Sequence, residues 1–235
     1  MLTFACFVPH AQILLPNVGS APDREKVRAT INSLESLVPK LAAAKPEIVI
    51  ITSPHPDWGI NVPLSFLIPN FKFQISNQFQ ISNDKLIIEE LKNSFENLKL
   101  KIENSAVFPI LTSNDSLKSH YELGKQIARI LPEKRQIAWI ASGDMSHTLK
   151  EDGPYGFNPN GPVFDQQFIK LLKDKNVTGI LNLDQELIDQ AGVCGIWSFC
   201  MLLGALDELK INWEPDILSY EGPFGVGYLV TELKI

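Results

Sequence analysis

Residues 47–52 read EIVIIT, and residues 2–8 read LTFACFV. The first is a continuous apolar run short enough to be a strand buried on both faces, and the second is a β-branched and aromatic strand. Between them, Asp23 to Ala44 repeats Val27, Ile31, Leu34, Leu37 and Leu41 at helical spacing. Pro22-Asp23 marks the start of this helix and Lys45-Pro46 its stop, and Pro39 is expected to kink or divide it near its end. Strand, helix, buried strand is a βαβ unit, which implies a parallel sheet covered by helices.

Working outward, the pattern predicts helices over 84–98 and 117–131, the latter stopped by Pro132, with a short strand near 98–102. A buried strand follows at 136–141, then helices at 162–173 and 195–206, and closing strands near 211–218 and 225–233. No stretch is rich enough in Pro, Gly or Ser to separate domains. The chain therefore reads as a single α/β domain over 1–235, with a central mostly parallel or mixed sheet flanked by helices. FQISN at 73–77 recurs at 79–83, and two copies read as a small duplication in a tolerant surface hairpin or loop, not as a solenoid.

Composition narrows the function. A hydrophobic fraction of 45% and a charged fraction of 20% are those of a soluble globular protein. The net charge of −6 leaves no basic footprint for nucleic acid. No run of 18 apolar residues occurs to span a membrane, and no basic segment opens a signal peptide, so a cytoplasmic protein is expected. Cys6, Cys194 and Cys200 lie in apolar runs without CxxC spacing and read as buried free thiols. A homodimer is the default assembly.

Three of the four histidines sit where an apolar run breaks into a loop: LTFACFVP leads to His10, IVIITSP to His55 and IAWIASGDMS to His147. An α/β sheet gathers such strand ends at one edge, and neutral imidazole is the commonest metal ligand. The expectation is a metal pocket at the strand ends with an acid/base group beside it. SGDMSH (142–147) is the sharpest local signal, because its small-residue turn brings the backbone close to the site and Asp144 and His147 can face one pocket. An Asx turn with a capping role for Asp144 is the structural alternative. GPYGFNPNGP (153–162) is too rich in Gly and Pro for regular structure, and Trp58, Tyr155 and Phe157 either line the pocket or simply pack. His120 falls in an amphipathic helical stretch and reads as a helix-surface residue. Glu221, between two strand-like runs, could join two histidines in the two-His, one-carboxylate set of non-haem Fe(II) oxygenases.

The blocks FVPHAQILLPNVG (7–19), SPHPDWGINVPL (53–64), SGDMSHTLKEDGPYGFNPNGPVFD (142–165), AGVCGIWSFCMLLGAL (191–206) and YEGPFGVGYLV (220–230) resemble the class III extradiol ring-cleavage dioxygenases, in the fold that the Memo proteins share. The resemblance implies Fe(II) held by His10, His55 and Glu221, although Memo relatives carry a cysteine near the last region. It makes His147 the acid/base histidine, with Asp144 beside it. It also implies a small aromatic diol and O₂ as substrates. Two departures stand out: residues 99–116, KLKIENSAVFPILTSNDS, lack the DHG-type histidine of ring-cleaving members, and Val193 and Trp197 are apolar where relatives are polar. The missing histidine favours a non-catalytic, Memo-like metal- or partner-binding protein. A Zn-dependent hydrolase is a further alternative, since two histidines and a glutamate also hold catalytic zinc.

Overall fold

The structure, a computed structural model, describes residues 1–68, 73–75, 79–80, 84–98 and 105–235. Strand β1 (Leu2–Val8) leads into helices α1 (Ala21–Lys26) and α2 (Arg28–Ala44), then β2 (Ile48–Ser53) and α3 (Trp58–Leu67). Next come β3 (Phe73–Ile75), β4 (Phe79–Gln80), α4 (Asp84–Glu96), β5 (Ser105–Leu111), α5 (Leu117–Arg129) and β6 (Ile137–Ser142). The chain closes with α6 (Asn160–Lys173), α7 (Val177–Leu181), α8 (Gln185–Ala191), α9 (Ile196–Glu208), β7 (Glu214–Glu221) and β8 (Tyr228–Lys234).

The strands form one mixed sheet in the order β3-β5-β2-β6-β1-β8-β7, with β4 also pairing β5. The pairs from β3 through β1 are parallel, while β8 and β7 return antiparallel at one edge. Alternation along each central strand feeds two cores. Ala5, Phe7, Ile48, Ile50 and Trp139 face one, and Phe4, Cys6, Val49, Ile51 and Ile140 face the other. The first core is filled by α5, α6 and α9, where Phe7 meets Phe199 edge-on at 5.1 Å. The second is filled by Leu34, Leu37 and Leu41 of α2 and Leu64 and Leu67 of α3. Burial on both faces explains why the central strands read as unbroken apolar runs rather than alternating ones.

Several boundaries differ from the sequence pattern for physical reasons. The first helix begins earlier, because Ser20 and Asp23 form a capping box, and it breaks at Val27, whose ψ of 19° leaves the helical range. Pro39 sits inside α2 without ending it, and the stop comes at Lys45 in the left-handed region. Strand β5 carries Pro109, a residue that ordinarily argues against a central strand. Here Pro109 falls between Ser105–Val107, which pair with β3, and Ile110–Leu111, which pair with β4. The expected strand near 98–102 and most of the FQISN duplication lie outside the described residues.

Candidate metal centre

Strands β2, β6 and β1 are adjacent and parallel, so their C-terminal ends emerge side by side. Each delivers a side chain two residues past its last strand position: His10 after Val8, His55 after Ser53, and Asp144 after Ser142. The His10 and His55 rings meet edge-on with centroids 5.1 Å apart. A fourth arm comes from the segment before α9. Gly192, in the left-handed region, ends α8, and Cys194 follows in the tight approach of Gly195 to Gly143. A Cβ on Gly143 would lie 2.1 Å from the Cα of Gly195, so only glycine lets this loop reach the histidines. The Gly195 N–H donates to the Asp144 carbonyl at 2.9 Å and closes the contact.

Cys194 is the hub. Its Sγ lies 3.5 Å from His10 Nε2 and accepts from the Asp144 N–H at 3.2 Å. Among the described residues two candidate ligand groups share it: His10, His55 and Cys194, and Asp144, His147 and Cys194, each with donor atoms within 4.8 Å of one another. Asp144 Oδ1 accepts from the backbone N–H of His10 at 3.0 Å, so the carboxylate orders the β1 loop as well as facing the site. His147 is held by its own N–H, which donates to the Ala191 carbonyl at 2.8 Å, and its buried Nε2 has no partner among the described residues. The exposed rings of Trp58 and Tyr155 lie against His55 and His147, tilted at 33°, with centroids 5.0 and 4.9 Å apart. Exposed Phe157 instead bridges to Leu149 through its backbone.

Burial sets the electrostatics. It lowers His10 to about 3, helped by the neighbouring His55, and it lowers His55 and His147 despite the opposing pull of Asp144. His10 is therefore neutral at physiological pH, and the 3.8 Å approach of its Nε2 to Asp144 Oδ2 is not an ion pair. Burial raises Asp144 to about 6, against the opposing influence of His147 and the His10 N–H. It also pushes the Cys194 thiol well up, with Asp144 adding to the effect. At neutral pH the site holds a buried carboxylate among imidazoles that burial keeps neutral, beside a protonated thiol. Such a charge is costly unless a cation joins it, and a cation would also expel the thiol proton. The donor chemistry thus fits a divalent metal ion.

Of the residues singled out in the sequence, the structure brings together His10, His55, Asp144 and His147. Glu221 is not grouped with them. Its Oε1 accepts from the Thr30 N–H at 2.8 Å and the Thr30 hydroxyl at 2.5 Å, at the start of α2. His120 is not on a helix surface but buried, accepting from the Ser113 N–H at Nε2 and donating from Nδ1 to the Ser116 carbonyl. Cys194 and Ser142 were missed. The glycines at 192 and 195 around the cysteine were the available signal.

Protein CA_C1420 of Clostridium acetobutylicum is 32% identical over a 270-residue alignment covering 97% of this chain and 56% of that protein. The chain thus spans little more than half the length of that relative. The crystal structure of the uncharacterized protein JW3007 from Escherichia coli K12 superposes with a TM-score of 0.55 at 12% identity, covering 98% of this chain and 99% of that one, which is a likeness of fold. Residues 54–231 match the family described as the catalytic LigB subunit of aromatic ring-opening dioxygenase, a span that includes His55, Asp144, His147 and Cys194 and begins after His10. With more than half its length matched, the chain belongs to that ring-opening dioxygenase family.

Proposed function

We propose that this chain is a metal-dependent, ring-opening-dioxygenase-like protein acting on a small aromatic diol and O₂. Fe(II) is the expected ion and Zn(II) the alternative. His10, His55 and Cys194 would hold it, with His147 beside Asp144 to handle the proton. The observation that supports this most is the convergence of two donor groups on Cys194. A bound ion would act as a Lewis acid and lower the pKa of a diol hydroxyl. The unpartnered Nε2 of neutral His147 is then available to take that hydroxyl proton and later return it. Asp144, ionised above pH 6, stabilises the imidazolium so formed. Trp58 and Tyr155 limit access of water from the mouth and offer flat faces to an aromatic ring.

One observation favours a second reading. Iron oxygenases of this type use two histidines and a carboxylate, whereas the third donor here is sulfur, which zinc also accepts readily. Metal binding without ring opening, or a Zn-dependent hydrolase, follows from that donor. Anaerobic Fe(II) loading followed by O₂ uptake with a panel of catechols separates the readings. The dioxygenase reading expects uptake that His147→Ala reduces by roughly 100-fold or more while iron is retained, with both lost in His10→Ala. Equal iron loss in the two variants would make His147 a ligand and contradict the division of roles. Iron retention without uptake would favour the second reading.

A further inference from the structure

We infer that Pro63 and Ser142 lock the tautomer of His10, keeping the proton on Nδ1 and the Nε2 lone pair turned toward Cys194. Donors and acceptors around Ser142 fix the assignment. Ser142 Oγ lies against the Gly59 carbonyl, which can only accept, so the single serine proton is committed there. The same Oγ is 3.0 Å from His10 Nδ1. With its proton spent, Ser142 must accept, and His10 must therefore be the donor at Nδ1. Nε2 is left as a lone pair, 3.5 Å from the Cys194 sulfur.

The Gly59 carbonyl is open to Ser142 because of the sequence of α3. In a helix the carbonyl of residue 59 accepts from the N–H of residue 63. Residue 63 is proline, inside the helix, and has no N–H to give. Gly59 itself must be glycine for the relay to assemble. A Cβ there would lie 2.1 Å from Ser53 Oγ and 3.4 Å from His10 Nδ1. A helix-interior proline, a close-packed glycine and a fully buried serine thus have one shared consequence. Ser142 and Pro63 are positioning residues, acting through His10.

The value of the lock for metal binding rests on the reading of His10 as a ligand, but the lock itself does not, so the two are tested separately. Nitrogen-15 spectra of ring-labelled histidine in the metal-free protein report which nitrogen of His10 carries the proton, and a Zn(II) titration reports affinity. Wild type should show protonated Nδ1 and unprotonated Nε2. Ser142→Ala removes the acceptor, and Pro63→Ala supplies a helical N–H that shares the Gly59 carbonyl, weakening the hold of that oxygen on the serine proton. Both should deplete the Nδ1–H form, and Ser142→Ala should weaken Zn(II) binding roughly 10- to 100-fold. Pro63→Ala, a substitution that suits a helix interior, keeps the test decisive if Ser142→Ala fails to fold. A protonated Nε2 in wild type, or an Nδ1–H signal of wild-type strength in either variant, would overturn the lock. The Nδ1–H signal in a wild-type protein that takes up no Zn(II) would uphold the lock and defeat the metal-site reading.

Discussion

At the residue scale, Glu221 and Cys194 show how chain distance hides a role. Helix α2 has no side-chain cap of its own at Val27. The carboxylate of Glu221, 191 residues away, receives the N–H and hydroxyl of Thr30 in the first turn instead. Glu221→Ala should therefore cost roughly 1–3 kcal/mol in urea unfolding by leaving those donors unsatisfied. Unchanged stability would show that the capping bonds contribute nothing. The sequence placed Glu221 at a strand end, where its residue type fits a ligand, and could not reveal a partner so distant. Cys194 is the converse case: a free thiol, as its sequence suggests, that the fold sets beside His10. Three cysteines in apolar runs look alike in sequence, and Cys6 and Cys200 are indeed core residues. The glycines at 192 and 195 mark the difference locally, and the approach of Gly195 to Gly143 is what brings Cys194 to the histidines. The three strand-end histidines were legible because a buried apolar run and a Pro or Gly turn mark the end of each strand locally.

At the element scale, α5 and α9 cross at backbone contact. A Cβ on Gly124 would fall 1.9 Å from the Met201 carbonyl oxygen, and one on Gly204 would fall 2.0 Å from that of Tyr121. Around this crossing, Arg129 pairs with Glu208 at 2.8 Å and Lys125 with Asp207 at 3.1 Å, on the solvent side, where such pairs contribute little. Close packing of the two helices is the larger effect. Gly124→Ala should destabilise by about 1–3 kcal/mol, since the obstacle is backbone that cannot turn aside. Because α9 begins two residues after Cys194, the same change should also lower metal affinity. Wild-type stability in this variant would mean that the helices separate without cost. The periodicity of α5 and the continuous apolar run of α9 announced both helices. Their crossing depended on two glycines whose meaning appears only in three dimensions. Helix α3 and strand β5 were missed for a related reason: each contains a proline that local rules count against it.

At the scale of the whole molecule, one mixed sheet with a helical layer on each face carries the fold, and the parallel order β2-β6-β1 carries the site. That order turns three separate sequence motifs into one cluster, and the segment before α9 adds the sulfur. The α/β class and the parallel centre were readable from the βαβ pattern, and the gathering of His10 and His55 at one sheet edge from the apolar runs that precede them. That Cys194, and not Glu221, lies beside the two histidines was not. Equilibrium Zn(II) titration of wild type, Cys194→Ala and Glu221→Ala addresses that point most directly. The account predicts about one ion per chain in wild type, a loss of at least roughly 100-fold in affinity for Cys194→Ala, and wild-type affinity for Glu221→Ala. Retained affinity in Cys194→Ala together with its loss in Glu221→Ala would contradict the account and return the third position to the carboxylate.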